Sequence, residues 1–263
     1  MIKMVAFDVD GTLYDFKTAS ILPKTIEAIK ALKEKGIYVV VASGRCHYGL
    51  GKALNDLKMD YIIAKSGSVL VDKDNNVISR YDFSMDQVNE LINFSHETDA
   101  GLIFKFIDHM YIYQHPERID WLEKQMNSDI GKEPFKDGSS QDHHLLDLPQ
   151  SCSIHAGPEK VKEHFDNHPT ISFIQYSYDG YDVVNRGINK GVGLKNLMEH
   201  LHLNKDEVMY FGDNYNDIEA MSMIDHAIAM GNAVDDIKKI AEYVTDSCDK
   251  DGIYKALKHY ELI

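Results

Sequence analysis

The sequence predicts an α/β fold, a doubly wound and mostly parallel Rossmann-like sheet carrying an inserted α+β module, and three observations predict it. Short apolar runs alternate with helix-period segments from Met4 to Ala64. That alternation is lost from about residue 82 to 186, and it resumes in the C-terminal third. The sheet domain is therefore expected to comprise residues 1–81 and 187–263, and the insert residues 82–186.

Met4-Val-Ala-Phe7 reads as a buried strand, Asp8 to Thr12 as a polar turn, and Pro23 as the start of a helix that stops at Gly36. Ile26, Ile29 and Leu32 fall at helical spacing on it. Ile37 to Ala42 is a continuous run rich in β-branched residues, of the kind buried on both faces of a parallel sheet. Ser43-Gly44-Arg45 follows, with a helix beginning near Cys46, and Tyr61 to Ala64 is a third strand. Ser68 to Val71 and Val77-Ile78 flank the polar run Asp72 to Asn76 as a hairpin. Within the insert, helices are expected at Met85–Glu97 and Arg118–Met126. Strands are expected there at Leu102–Phe106, Tyr111–Tyr113, Cys152–His155 and Ile171–Tyr178, and a polar loop at Gly131–His144. Leu194, Leu197, Met198 and Leu201 then mark a helix at i, i+3, i+4 and i+7. A strand at Glu207–Phe211, a turn at Gly212–Asp217, a strand at Ala227–Met230 and helices at Val234–Ala241 and Gly252–Tyr260 complete the sheet domain.

The 42 acidic residues outnumber the 28 basic ones, for a formal charge of -14, which opposes nonspecific binding to nucleic acid or an anionic membrane. A small anionic substrate would meet the same field, so its site must supply positive charge locally. Cys46, Cys152 and Cys248, odd in number and far apart, read as buried thiols of a reducing compartment. Met1 to Phe7 is too short for a signal peptide, and no run reaches the roughly 18 apolar residues of a membrane span. A cytoplasmic protein, a monomer or weak homo-oligomer, is expected.

In open α/β sheets ligands bind beyond the carboxyl ends of the strands, so polar clusters placed directly after buried strands come first. Asp8-Val-Asp10-Gly-Thr12 taken alone is a solvated turn, a helix cap or a site. It is not a calcium loop, since the sixth and twelfth positions are Leu13 and Ala19 rather than Gly and Glu. Asp213 and Asp217 share the same sheet edge with Asp8 and Asp10, and four converging carboxylates call for a hard divalent cation such as Mg²⁺. Lys190, in the first turn of a helix, opposes the macrodipole by about 0.3 to 1 kcal/mol. It is either a solvated lysine or a partner for an anion. Ser43 and Gly44 offer a hydroxyl and a backbone N–H, for capping or for phosphate. Arg45 reaches a substrate or the inserted module. His143-His144 read as surface histidines, lacking further ligands at zinc spacing, and Met209, Met221, Met223 and Met230 as core packing.

Together these clusters resemble the haloacid dehalogenase-like superfamily, specifically its Cof-type hydrolases. Asp8 to Thr12 is similar to the family's first motif, Ser43 to its second, Lys190 to its third, and Gly212-Asp213 through Asn216-Asp217 to its fourth. The long interval between Ser43 and Lys190 is where this subfamily carries its larger cap, of the C2B type. The resemblance implies that Asp8 attacks phosphorus to form an aspartyl phosphate, and that Asp10 serves as acid and then base. It implies Mg²⁺ bound by Asp8, the Asp10 carbonyl and Asp213, and phosphate held by Ser43, Gly44, Lys190 and Asn216. Asp217, with Thr12, would support, Asp217 orienting Lys190 or a metal-bound water. Asp10 sets the chain apart from dehalogenases, which lack this aspartate, and from P-type ATPases, which carry threonine. A phosphatase acting on small phosphorylated metabolites is therefore the expected function, with a phosphomutase as the alternative that shares Asp8 and Asp10 and a noncatalytic phospholigand sensor as the alternative from another class. Ser66-Gly67 departs from the usual Asn-Gly of the family.

Overall fold

The computed structural model describes residues 1–15, 20–119 and 135–263. Its strands in chain order are β1 (Met4–Asp8), β2 (Tyr38–Ala42), β3 (Tyr61–Ala64), β4 (Val69–Asp72), β5 (Val77–Arg80), β6 (Gly101–Lys105), β7 (Met110–Gln114), β8 (Phe135–Asp137), β9 (Ser151–His155), β10 (Ile171–Gln175), β11 (Gly180–Asn185), β12 (Val208–Gly212), β13 (His226–Ala229) and β14 (Tyr243–Val244). The chain divides into two compact units, one of Met1–His47, Ala53–Ser79 and Asn189–Ile263, the other of Tyr48–Lys52 and Arg80–Ile188.

In the first unit β1 is buried along its whole length, so both its edges must be paired. It runs parallel to β2, with Phe7 opposite Val41, and parallel to β12, with Phe7 opposite Phe211. The full order is β14-β13-β12-β1-β2-β3-β4-β5, and only after β3 does the direction reverse, β4 lying antiparallel to it. Chain order therefore switches at β1, which opens a crevice beyond the carboxyl ends of β1 and β12. The helix Lys190–Leu201 covers one face, burying Leu194, Leu197 and Met198 in a cluster with Ala6, Val40 and Ile63. Each such side chain contributes about 1.5 to 3 kcal/mol by leaving water. Met221 lies in this cluster with Met223 partly buried at its margin, and Met209 and Met230 are fully buried elsewhere in the unit.

Several local expectations are corrected. The helix expected near Cys46 is a 3₁₀ turn, His47–Gly49, and a short helix, Lys52–Asn55, because Gly51 at φ +87° breaks the run. Cys46 and Cys152 are buried, but Cys248 is only partly so, since it opens an exposed 3₁₀ turn. Strand β14 and the helix Ile218–Ser222 were not anticipated, being two and five residues long.

The second unit is a six-stranded sheet of order β10-β11-β9-β6-β7-β8, antiparallel except that β8 runs parallel to β7. The helices Met85–Thr98 and Pro158–Phe165 bury Leu91, Phe94, Val161 and Phe165 against Leu102, Phe104, Ile154 and Tyr181. The first of these helices begins with a Ser84–Gln87 capping box. On the other face Lys105 Nζ donates to Asp182 Oδ1 at 2.5 Å, and Ser153 Oγ donates to the same oxygen at 2.9 Å. From residue 120 on, the helix expected at Arg118–Met126 lies outside the described residues, as does the start of the loop expected at Gly131–His144. That loop instead contains β8, where only Phe135 is buried, and His144 is buried rather than on the surface, its backbone N–H donating to the Tyr113 hydroxyl at 3.0 Å. Among the described residues no helix is long and apolar enough to cross a membrane.

Candidate active site

Where β1 ends, the chain folds into a tight turn in which Tyr14 N donates to Val9 O at 2.8 Å and Leu13 N to Asp8 O at 3.3 Å. Gly11 sits there at φ +93°, and a Cβ on it would stand 2.4 Å from Asp213 Oδ2. Glycine is what allows this turn to press against the loop after β12. Thr12 Oγ1 joins the two loops by donating to Asp213 Oδ1 at 3.0 Å. Asn232 adds a second tie, its Nδ2 donating to Gly11 O at 2.8 Å while its Oδ1 accepts from Cys248 N at 3.0 Å.

Asn189 caps the helix Lys190–Leu201 by accepting from Val192 N at 3.0 Å, which puts Lys190 at the first helical position with its side chain fully buried. Its ammonium donates to Asp8 Oδ1 and, at 2.7 Å, to Asp217 Oδ1. Asp217 Oδ1 also accepts the Tyr210 hydroxyl at 2.9 Å, and its Oδ2 accepts the N–H groups of Asp213 at 3.1 Å and Asn214 at 3.2 Å. A carboxylate offers about four acceptor positions, and here all are used. Asp217 is therefore an anchor, holding the ammonium on one side and the β12 loop on the other.

Asp8, Asp213 and Asp217 each place a carboxylate oxygen within 4.8 Å of the others. Burial, and then the charge of Asp217, push the Asp8 carboxyl well above its ordinary range against the opposing pull of Lys190. The same two causes raise Asp213 to about 6, partly offset by the Thr12 hydroxyl. Burial also lowers the proton affinity of Lys190, but Asp217 and Asp8 outweigh it and keep the ammonium charged. Three close carboxylates and one ammonium leave excess negative charge, which, added to burial, makes Asp8 and Asp213 easier to protonate than usual. A hard divalent cation with oxygen ligands would relieve it instead, and with Asp217 saturated the side chains left to bind one are Asp8 and Asp213. That donor set fits Mg²⁺, which takes one or two carboxylates and keeps several waters.

The fourth carboxylate expected in this cluster is not there. The turn after β1 directs Asp10 to Arg45, whose Nη2 lies 2.7 Å from its Oδ1, so Arg45 engages Asp10 within the first unit. Ser43 and Gly44 follow β2, beside Asp8 by register, since Ala42 lies opposite Asp8. The Ser43 hydroxyl accepts from Arg45 N at 3.1 Å. Asn216 sits in the β12 loop with its Oδ1 buried and unpartnered, an unmet hydrogen-bonding group at the edge of the cluster. Lys65, Ser66 and Gly67 take φ values of +50°, +55° and +98°, a strained turn that braces the site through Lys65 N to Arg45 O and Ser66 N to Ser43 O, both 2.9 Å. Ser66 thus contributes backbone to this loop. Tyr210 and Asn232 were missed in the sequence. Asn232 follows a buried parallel strand and could have been found by the rule that found Asp8, whereas Tyr210 looks like any core aromatic.

A model of the haloacid dehalogenase-like hydrolases matches residues 5–257 of the chain. The chain is 26% identical over 265 residues to the 5-amino-6-(5-phospho-D-ribitylamino)uracil phosphatase YcsE of Bacillus subtilis, covering 99% of this chain and 96% of that protein. It is 27% identical over 274 residues to the HMP-PP phosphatase of Serratia proteamaculans, with 99% and 96% covered. Among solved structures, the subclass IIB sugar phosphatase BT4131 superposes with a TM-score of 0.86 at 27% identity, over 99% of this chain and 100% of that one.

Proposed function

Because this chain belongs to the haloacid dehalogenase-like hydrolases, we propose that it is a Mg²⁺-dependent phosphatase of small phosphate monoesters working through an aspartyl phosphate on Asp8. The observation that carries the reading is the buried cluster in which Lys190 bridges Asp8 and Asp217 while Thr12 ties Asp213 to the same turn. The relatives named as phosphatases of a ribitylaminouracil phosphate, of HMP-PP and of sugar phosphates support a small phosphorylated metabolite as substrate.

In this reading one Asp8 oxygen is fixed by Lys190 and the other attacks phosphorus in line. The bond to the leaving oxygen breaks as Asp10 gives it a proton. A water then attacks the aspartyl phosphate, Asp10 takes its proton, and Asp8 departs as a carboxylate. Lys190 neutralises charge on the phosphoryl oxygens, and Ser43, Gly44 and Asn216 line the phosphate. Asp217 and Tyr210 keep Lys190 in place. When bound by Asp8, Asp213 and the Asp10 carbonyl, Mg²⁺ supplies charge neutralisation at the phosphoryl group. The sensor reading would be favoured by loss of Asp8, Asp10, Lys190 or Asp213, and each is present. The free thiols Cys46, Cys152 and Cys248 accord with a cytoplasmic location.

The test is phosphate release from a panel of sugar phosphates, nucleotides, pyridoxal phosphate and flavin mononucleotide, beside Asp8→Asn. Acid quenching with a labelled substrate should trap phosphate on Asp8. Full activity of Asp8→Asn would remove it as nucleophile and end the proposal.

A further inference from the structure

We propose that Arg45 is a positioning residue that orients the Asp10 carboxylate for proton transfer, an inference resting on the acid–base role given to Asp10 above. Arg45 Nη2 donates to Asp10 Oδ1 at 2.7 Å, and its Nε approaches Oδ2 at 3.4 Å. The shorter bond fixes one oxygen. The longer and weaker bond to Oδ2 sets the carboxylate plane yet is the one that can yield, so Oδ2 is the atom that carries the proton to the leaving oxygen and later receives one from water. The Asp10 side chain is 38% exposed, and a carboxylate that open samples several rotamers unless something holds it.

Arg45 is itself held from three directions. Its N–H donates to Ser43 Oγ at 3.1 Å, its carbonyl accepts from Lys65 N at 2.9 Å, and its guanidinium lies 5.7 Å from the centre of the Tyr14 ring. Tyr14 is buried and belongs to the same turn as Asp10, which pairs with it in an isolated bridge while Gly11 N donates to Tyr14 O at 3.0 Å. One turn thus supplies both the carboxylate and the aromatic floor under its clamp. The planar fork matters, because a lysine is a point charge that cannot fix the plane of a carboxylate.

The experiment measures KM and, by rapid acid quench, the rate at which Asp8 is phosphorylated in Arg45→Met and Arg45→Lys, on an alkyl phosphate, whose leaving oxygen needs a proton, and on p-nitrophenyl phosphate, whose leaving oxygen does not. Both variants should lose about 10- to 100-fold in the phosphorylation rate with the alkyl ester, with KM and the phosphorylation rate with the aryl ester changed less than about threefold, while the later hydrolysis step, in which Asp10 takes a proton from water, slows alike for both. In an Asp10→Asn background the same substitutions should add little, since the two residues act as one unit. Equal losses of phosphorylation rate on both esters, or a full additional loss beside Asp10→Asn, would overturn the positioning role. If Arg45→Met does not fold, Arg45→Lys, which keeps a cation over Tyr14, decides alone. Were Asp10→Asn itself to slow phosphorylation by both esters equally, the general-acid reading of Asp10 would be at fault, and the role of Arg45 would fall with it.

Discussion

Replacing Asp217 by asparagine preserves volume and removes one acceptor atom from a place where four donors converge. Lys190 and the Tyr210 hydroxyl face Oδ1 at 2.7 and 2.9 Å, and the N–H groups of Asp213 and Asn214 face Oδ2 at 3.1 and 3.2 Å. An amide has one oxygen and one NH₂, so in either orientation two donors meet a donor. Each buried group left unsatisfied costs about 1 to 3 kcal/mol, or roughly 2 to 6 kcal/mol for the pair. At about 2 to 4 °C per kcal/mol for a chain of this size, the melting temperature of metal-free Asp217→Asn should fall by roughly 5 to 20 °C. Calorimetric titration with Mg²⁺ should show affinity reduced less than about tenfold, because a saturated anchor is not a ligand. Scanning calorimetry without metal and titration with it are the assays. An unchanged melting temperature with a Mg²⁺ affinity lowered well beyond tenfold would refute the reasoning, making Asp217 a metal ligand.

Two further predictions concern Asp213. Its carboxyl ionises near 3.8 in the unfolded chain but holds its proton to about 6 in the fold, so the folded state binds more protons in between. Stability of the metal-free protein should therefore fall as pH rises from about 4 to about 6, with Asp8, raised by the same causes, carrying the decline higher. Melting curves at pH 5 and 7 should show this slope, flattened in Asp213→Asn, and Mg²⁺ should stabilise more at pH 7. A metal-free protein that becomes more stable between those two values would contradict it. In Gly11→Ala the new Cβ would lie 2.4 Å from Asp213 Oδ2, where ordinary contact begins at 3.4 Å. The carboxylate must then move about 1 Å, a displacement worth roughly 100-fold in kcat. Phosphate release within threefold of the parent would count against the close approach.

The sheet of the first unit was legible because strands buried on both faces leave continuous apolar runs, as Met4–Phe7 and Ile37–Ala42 do. The polar residues directly after them gave Asp8, Asp213 and Asp217, which the geometry gathers. The second unit was harder to read. Strand β11 was missed because Gly180 and Asp182 interrupt its pattern, and the reason for Asp182, its pairing with Lys105, lies 77 positions away. The helix Pro158–Phe165 is eight residues long with only Val161 and Phe165 buried, too short to display a period. Direction of side chains was also hidden. Spacing alone sends Asp10 toward Asp8, whereas the turn sends it to Arg45.

Thr12 and Asp213 are 201 positions apart, and β1 lies between an early neighbour and a late one. At about 5 to 20 residues per second, translation leaves one edge of this apolar strand unpaired for roughly 10 to 40 s before its second partner exists. Such an edge is a template for adhesion to other chains. A chain ending short of Val208 would lack this second partner strand together with the Asp213 and Asp217 that follow it.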